Sequence, residues 1–172
     1  TLQAIFKKYP VLHGLLKTYL EHSIKFMKQF FQALEADYAD IQQHFNLSES
    51  SELRHIYKAG DRHRQASSVL ILEFIDKANE KNLQKIVYKP RSLAIDVAYN
   101  YFMAEINQKT DFDFRTVKTL DYQTHGWCEF VTVSSCLHEK EVERFYNRLG
   151  GLLAVVHLLN GGDLHYENLL AA

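Results

Sequence analysis

"KIVYKPRSLAIDVAYNYF", residues 85–102, decides how this chain folds. Its first residues alternate, so Ile86 and Tyr88 fall on one side of a strand and Val87 and Lys89 on the other. Pro90 closes the strand because it has no amide to give to a ladder. Ser92 is then placed to cap a helix running through about Asn107, with Leu93, Val97, Tyr101, Phe102 and Ile106 on one side. A lysine on a rigid strand just ahead of a helix suits phosphate binding, and Arg91 follows two residues later. Taken alone, Lys89 reads better as a solvated strand-end lysine, which is common. An acid on the following helix would hold it, and Asp96 and Glu105 are both candidates.

Working outward, "SSVLILEFI" at 67–75 pairs naturally with 85–90 as a β-hairpin, joined by a long polar connection, "DKANEKNLQ". Before it, "NLSESSELR" reads as a polar loop. Earlier still, Leu12, Leu15, Leu16, Tyr19, Leu20, Phe26, Met27, Phe30, Phe31, Leu34, Tyr38, Ile41 and Phe45 recur at steps of three and four. That spacing predicts a long amphipathic helix after Pro10, broken near its start, whose apolar stripe packs in the core. Downstream, "FRTVKTLDY" and "GWCEFVTV" predict a second strand pair. "EKEVERFYNRLGGLLAVVHLLNG" then predicts one helix, with Val142, Phe145, Tyr146, Leu149, Leu152, Leu153 and Val156 inward and Gly150 and Gly151 allowing close approach.

Composition narrows the class. The 172 residues fit one compact unit, and 47% hydrophobic content is enough to bury a sizeable core. A net charge of −1 provides no field for nucleic acid or anionic lipid. The apolar run at 149–162 is too short to cross a bilayer, so no intrinsic membrane segment is expected. No signal peptide follows Thr1, and the chain reads as a piece of a longer cytoplasmic protein. His125, Cys128, Cys136 and His138 supply four zinc-type ligands, but the strand pattern splits them and no tight C-x2-C pair exists. Buried free thiols are the expectation.

The chain closes on "GGDLHYENLLAA", 161–172. Asp163, His165 and Asn168 put three polar groups in six residues directly after a helix. Asp163 suits orienting or deprotonating a hydroxyl, His165 proton transfer or phosphate contact, and Asn168 is an oxygen ligand that suits magnesium. A polar turn after a helix explains the same residues without chemistry. The order of parts is helix, hairpin with Lys89, helix, strands, helix, polar loop. That is the order of a protein-kinase-like fold of α+β class, with N-lobe hairpins flanked by helices and the start of a C-lobe.

Five segments then occur together in order: "YPVLHGLLKTYLEH", "GDRHRQASSVLILEF", "KIVYKPRSLAIDVAYNYF", "HGWCEFV" and "RFYNRLGGLLAVVHLLNGGDLHYENLLA". As a set they resemble the N-terminal dehydratase domain of class II, LanM-type, lanthipeptide synthetases, across nearly the whole chain. The resemblance implies a lipid-kinase-like core that uses ATP and magnesium to phosphorylate Ser and Thr of a precursor peptide, leader plus core. Elimination of phosphate then leaves dehydroalanine or dehydrobutyrine. It implies a C-terminal zinc cyclase domain in the same parent chain. By position, Lys89 matches the ATP-contacting lysine, with Arg91 as a weaker phosphate contact. Asp163, His165 and Asn168 match the catalytic loop, with Asn168 a magnesium ligand. Asp61 and His63 of "GDRH" match a motif implicated in phosphorylation. Ala66, His125 and Gly162 depart from the family pattern, which has Gly, Tyr and Thr there. The expected organisation is one partial domain over 1–172. It has a helical part at 1–48, an N-lobe-like part at 49–137 and a helix with the catalytic loop at 138–172. The chain by itself is expected to be inactive. Two other readings of the same residues are a lipid or small-molecule kinase and a non-catalytic leader-peptide-binding module.

Overall fold

The computed structural model describes residues 1–60, 67–162 and 169–171. Along them run α1 (Leu2–Lys8), α2 (Pro10–Phe45), β1 (Ser51–Ala59), β2 (Val69–Asp76), β3 (Asn79–Lys89), α3 (Ala94–Lys109), β4 (Thr119–Asp121), β5 (Gly126–Glu129) and α4 (Glu139–Leu158). The strands form one antiparallel sheet in the order β1-β2-β3-β5-β4. The class is α+β, as the sequence indicates.

The core follows from two periodicities meeting. Alternation along the strands puts Leu70, Leu72, Phe74, Ile86, Tyr88 and Trp127 on one face. Helical spacing puts Phe26, Phe30, Ile41 and Phe45 on the stripe of α2 that covers them. Proline at N1 starts α2 without wasting an amide, and Asn46, at φ 56° in the left-handed region, ends it. Gln84 Nε2 donates to the Phe45 carbonyl at 2.6 Å and ties that end to β3.

Polar clamps hold the sheet's far edge. Asp37 lies buried on the inner face of α2. Its Oδ2 accepts from Trp127 Nε1 at 2.7 Å and from His125 Nε2 at 2.8 Å. One helical step further, Asp40 accepts the Tyr122 hydroxyl at 2.5 Å. The β4–β5 turn is therefore bolted to α2. Its Gln123 takes a positive φ of 66°. Gly126 opens β5 where no side chain fits: a Cβ there would meet the Leu120 carbonyl and Leu93 Cδ1, each at 2.6 Å.

A smaller core joins α3 and α4 through Met103, Phe114 and Val155. Gly151 permits it, since a Cβ there would strike the Phe112 and Phe114 rings at 2.7 and 2.8 Å. Phe114 and Val117 are each held backbone to side chain on both sides, by Asn107 and Asn100.

Several expectations are corrected. The supposed polar loop "NLSESSELR" leads into β1, whose Ser51–Ala59 pair with β2. The connection "DKANEKNLQ" is mostly strand, because β3 begins at Asn79 and the turn is short. The predicted strand "FRTVKTLDY" keeps only Thr119–Asp121, because Asn100 and Asn107 take the backbone bonds of 114–117 that a ladder would need. Leu12, Leu15, Leu16 and Leu20 are exposed among the described residues. A helix of 36 residues is about 54 Å long, whereas a strand of 11 residues is about 36 Å, so α2 outruns the sheet that covers it. Tyr101, Phe102, Val142, Tyr146 and Leu153 are exposed too; Leu152 packs inward as expected, and Met103, Gly151 and Val155 are buried in addition. Cys128 is buried but Cys136 is exposed.

Replacing Asp37 by Ala strands a buried indole N–H and the His125 ring, and is expected to cost about 3 kcal/mol. Asp37→Asn keeps an acceptor for Trp127 and should cost less. Urea unfolding followed by Trp127 fluorescence measures both. Gly126→Ala should cost about 1–3 kcal/mol by overpacking in the same assay.

Candidate functional site

The sheet face turned away from α2 is built in rows, because directly paired residues share a face. Tyr57, Ile71, Val87 and Cys128 pair in succession across β1, β2, β3 and β5 and make an apolar row. On one side of it lie Glu73 and Lys85, 3.6 Å apart, with the Lys85 ammonium over the Tyr57 and Phe130 rings. On the other side lies Lys89, opposite Gly126. Ala59 pairs with Val69, so the connection between β1 and β2 leaves the sheet at the Lys89 end.

Lys89 is half-buried and anchored. Its Nζ donates to Asp96 Oδ1 at 3.1 Å, and Arg91 Nη1 donates to Asp96 Oδ2 at 2.8 Å. Of the two acids on the helix, Asp96 is the one at Lys89; Glu105 pairs with Lys109 at 2.9 Å on the outer side. Partial burial pushes the Asp96 carboxyl up, but hydrogen bonds and charge from Arg91 and Lys89 outweigh it and hold it below the usual carboxylate range. Two cations share the Asp96 carboxylate, so both Lys89 and Arg91 keep N–H donors that it does not take.

Asp121 fixes this geometry and was not singled out by sequence. Its Oδ1 accepts from the Leu93 amide at 2.7 Å and the Ser92 hydroxyl at 3.2 Å, so β4 caps the start of α3 and sets where Asp96 stands. Those bonds, the Leu93 amide first, hold its carboxyl low. Ser92 Oγ accepts from the Ala94 amide at 3.1 Å, just outside the helix it was expected to cap. The signal available in sequence was an Asp at a strand end, which is too common to choose. The neighbouring Cys128 thiol is pushed up by burial, which suits packing and not nucleophilic attack.

Asp61 and His63 lie outside the described residues, as do Asp163, His165 and Asn168. Flanking residues are anchored: the Gly161 amide donates to the Val156 carbonyl at 2.8 Å, and the Ser134 amide to the Ala171 carbonyl at 3.0 Å. Among the described residues no group of three or more His, Cys, Asp and Glu side chains is placed to hold a metal ion. His125, weighed as a zinc ligand, is engaged by Asp37 and Thr124 and stacks on Tyr122.

A cleft of about 710 Å³ opens on the other face, between α2 and the same end of the sheet. His22, Lys25, Gln29 and Gln32 line it from α2, and Tyr88, Pro90 and His125 from the sheet. No helix of the described residues is long and apolar enough to cross a membrane.

Comparison with known proteins agrees with the resemblance read from the sequence. The chain is 29% identical over 178 residues to the lacticin 481/lactococcin biosynthesis protein LcnDR2 of Lactococcus lactis subsp. lactis. That alignment covers 98% of this chain and 18% of the relative, so the chain spans about a fifth of the relative's length. The family model described as "Domain of unknown function (DUF4135)" matches residues 9–172. With nearly its whole length matched, the chain belongs to the DUF4135 family.

Proposed function

We propose that this chain is part of a lanthipeptide dehydratase with a kinase-like core. The parent protein transfers the terminal phosphoryl group of ATP to Ser and Thr hydroxyls of a precursor peptide. It then removes the Cα proton as phosphate leaves, giving dehydroalanine or dehydrobutyrine. The similarity to a lacticin 481/lactococcin biosynthesis protein supports the class of product. Supporting the chemistry is one observation above all: Lys89 stands on a central strand, held by Asp96 of the next helix, beside an apolar row. The element order β1-β2-β3-α3-β4-β5-α4 agrees with a kinase N-lobe leading into its catalytic loop.

The described residues fit the phosphate end of ATP. The Asp96 carboxylate prevents the Lys89 stem from swinging away yet leaves N–H donors on Lys89 and Arg91 that it does not take. Phosphate oxygens accept from such donors strongly, because both partners are charged. The row of Ile71 and Val87 offers a flat apolar surface for a base. Bound magnesium would neutralise charge developing on the phosphates, with Asn168 its ligand by family resemblance. In the same reading Asp163, His165, Asp61 and His63 act in phosphoryl transfer, a zinc cyclase domain follows in the parent chain, and the protein is cytoplasmic.

In the full-length protein, Lys89→Met is expected to lower formation of phosphopeptide and dehydrated product by about 100-fold or more with the fold retained. Mass spectrometry after incubation with ATP, magnesium and precursor peptide reads this. Unchanged phosphorylation would refute the role given to Lys89. The 172-residue chain alone should give no robust phosphopeptide in that assay.

Asp96 also predicts a pH dependence. Its folded carboxyl is held low, so its stabilising contribution is fully present above the ordinary value of about 4 and disappears as pH falls through its own lower value. Asp96→Asn should therefore lower stability at neutral pH and flatten the loss below about pH 4. Denaturant midpoints between acid and neutral pH check it; parallel curves for both proteins would count against the Lys89–Asp96–Arg91 cluster.

A further inference from the structure

Apolar packing seats α3 lightly. Ile95, Tyr101 and Phe102 are exposed, and among its described residues Met103 is the one that is buried. A row of polar attachments to the extended segment 114–121 fixes the helix instead. The Leu93 amide, just before the first turn, donates to Asp121 Oδ1 at 2.7 Å. Seven residues on, the Asn100 side-chain amide closes both bonds with Val117: Nδ2 donates to its carbonyl at 2.7 Å and Oδ1 accepts from its amide at 3.1 Å. Seven further, Asn107 does the same with Phe114, at 2.8 Å in each direction. Seven residues are nearly two helical turns, so the three attachments lie along one stripe. Phe114 and Val117 thus pair with side-chain amides as they would with the edge of a neighbouring strand. Leu93 has an apolar seat too. It is fully buried, and its Cδ1 fills the notch left by Gly126, the ladder partner of Lys89.

Asp96 sits inside this row. It comes three residues after Leu93 and four before Asn100, the two spacings that put residues on one helix face. An anchor on each side therefore sets the height and rotation of α3 where its carboxylate meets Lys89 at 3.1 Å and Arg91 at 2.8 Å. We propose that Asp121 and Asn100 are positioning residues for phosphoryl transfer, acting through Asp96 to hold the Lys89 ammonium in place. Their role rests on the phosphate-binding reading of Lys89 above. Misplacing a phosphate-contacting group by about 1 Å is enough to slow transfer by up to about 100-fold. Asn107 makes bonds of the same kind but lies eleven residues from Asp96, about 16 Å along the helix. It holds Phe114 without bearing on Lys89.

The test uses the full-length protein, with phosphopeptide formation from ATP, magnesium and precursor peptide measured beside denaturant midpoints. Asp121→Ala and Asn100→Ala should each lower turnover about tenfold or more, and either variant alone carries the comparison. Asp121→Asn keeps an acceptor for the Leu93 amide and should restore most of the loss. Asn107→Ala should lower the midpoint as Asn100→Ala does, with turnover changed less than about twofold. In an Asp96→Asn background, Asp121→Ala and Asn100→Ala should add little further loss, because the group they place is already gone. Equal turnover losses from Asn100→Ala and Asn107→Ala, or losses that multiply fully with that of Asp96→Asn, would overturn the proposal. A second readout needs no turnover. Without nucleotide, acylation of Lys89 relative to Lys85, read by mass spectrometry, should rise severalfold in Asp121→Ala and return in Asp121→Asn; an unchanged ratio also overturns it. Lys89→Met separates this idea from the one it rests on. Intact phosphorylation in that variant, with Asp121 still controlling Lys89 acylation, would remove the phosphate-binding role and keep the anchoring of Asp96. Lost phosphorylation, with acylation indifferent to Asp121, would do the reverse.

Discussion

The structure depends on one buried carboxylate. Asp37, midway along α2, receives the indole N–H of Trp127 and the imidazole of His125. A polar group so placed is costly unless it is hydrogen-bonded, and here two donors meet Oδ2 at 2.7 and 2.8 Å. The consequence travels through the sheet. Trp127 pairs with Tyr88 and Leu120, and the next ladder position sets Gly126 against Lys89. Anchoring β5 to α2 therefore fixes the end of β3. The Tyr88 phenol feels the same carboxylate: burial first, then the Asp37 charge, pushes it up to about 12, so it stays a neutral donor at any physiological pH.

A second carboxylate carries that order to the site. Asp121, on β4, accepts the Leu93 amide and so holds the start of α3. Three residues further on, Asp96 comes to lie at Lys89 and Arg91. The chain of dependence runs from Asp37 to β5, from β5 to β4, from Asp121 to α3, and from Asp96 to Lys89. The β5-to-β4 link is a backbone ladder and the other three are charge-assisted bonds, which specify direction where apolar contact specifies only proximity. His125 belongs to this chain. Its ring is used twice, toward Asp37 and toward Thr124.

What was legible in the sequence was periodic. The long helix, the alternation of Ile86, Val87, Tyr88 and Lys89, the helices at 94–109 and 139–158 and the α+β class all follow from apolar spacing. Local patterns failed where partners at a distance decide. Ser51–Ala59 is polar and exposed along most of its length, but β2 supplies a ladder for it, broken at one irregularity around Arg54. Asn79–Gln84 forms strand for the same reason. Residues 114–117 look like strand, yet the amides of Asn100 and Asn107 take their backbone bonds first. Arg91, Lys89 and Asp96 were each visible as candidates, but helical spacing alone left Glu105 equal to Asp96.

The sequence by itself determined the helices, the pairing of 69–75 with 85–89 and which residues stand as candidates, Lys89, Asp163, His165 and Asn168 among them, because apolar spacing and residue identity are local facts. Only the tertiary structure decided which acid holds Lys89, that Asp121 sets the helix carrying that acid, and that a cleft beside α2 shares an end of β3 with Lys89. The physical reason is that these are relations between residues tens of positions apart. Their geometry comes from strand register and from buried polar bonds, neither of which any one segment contains.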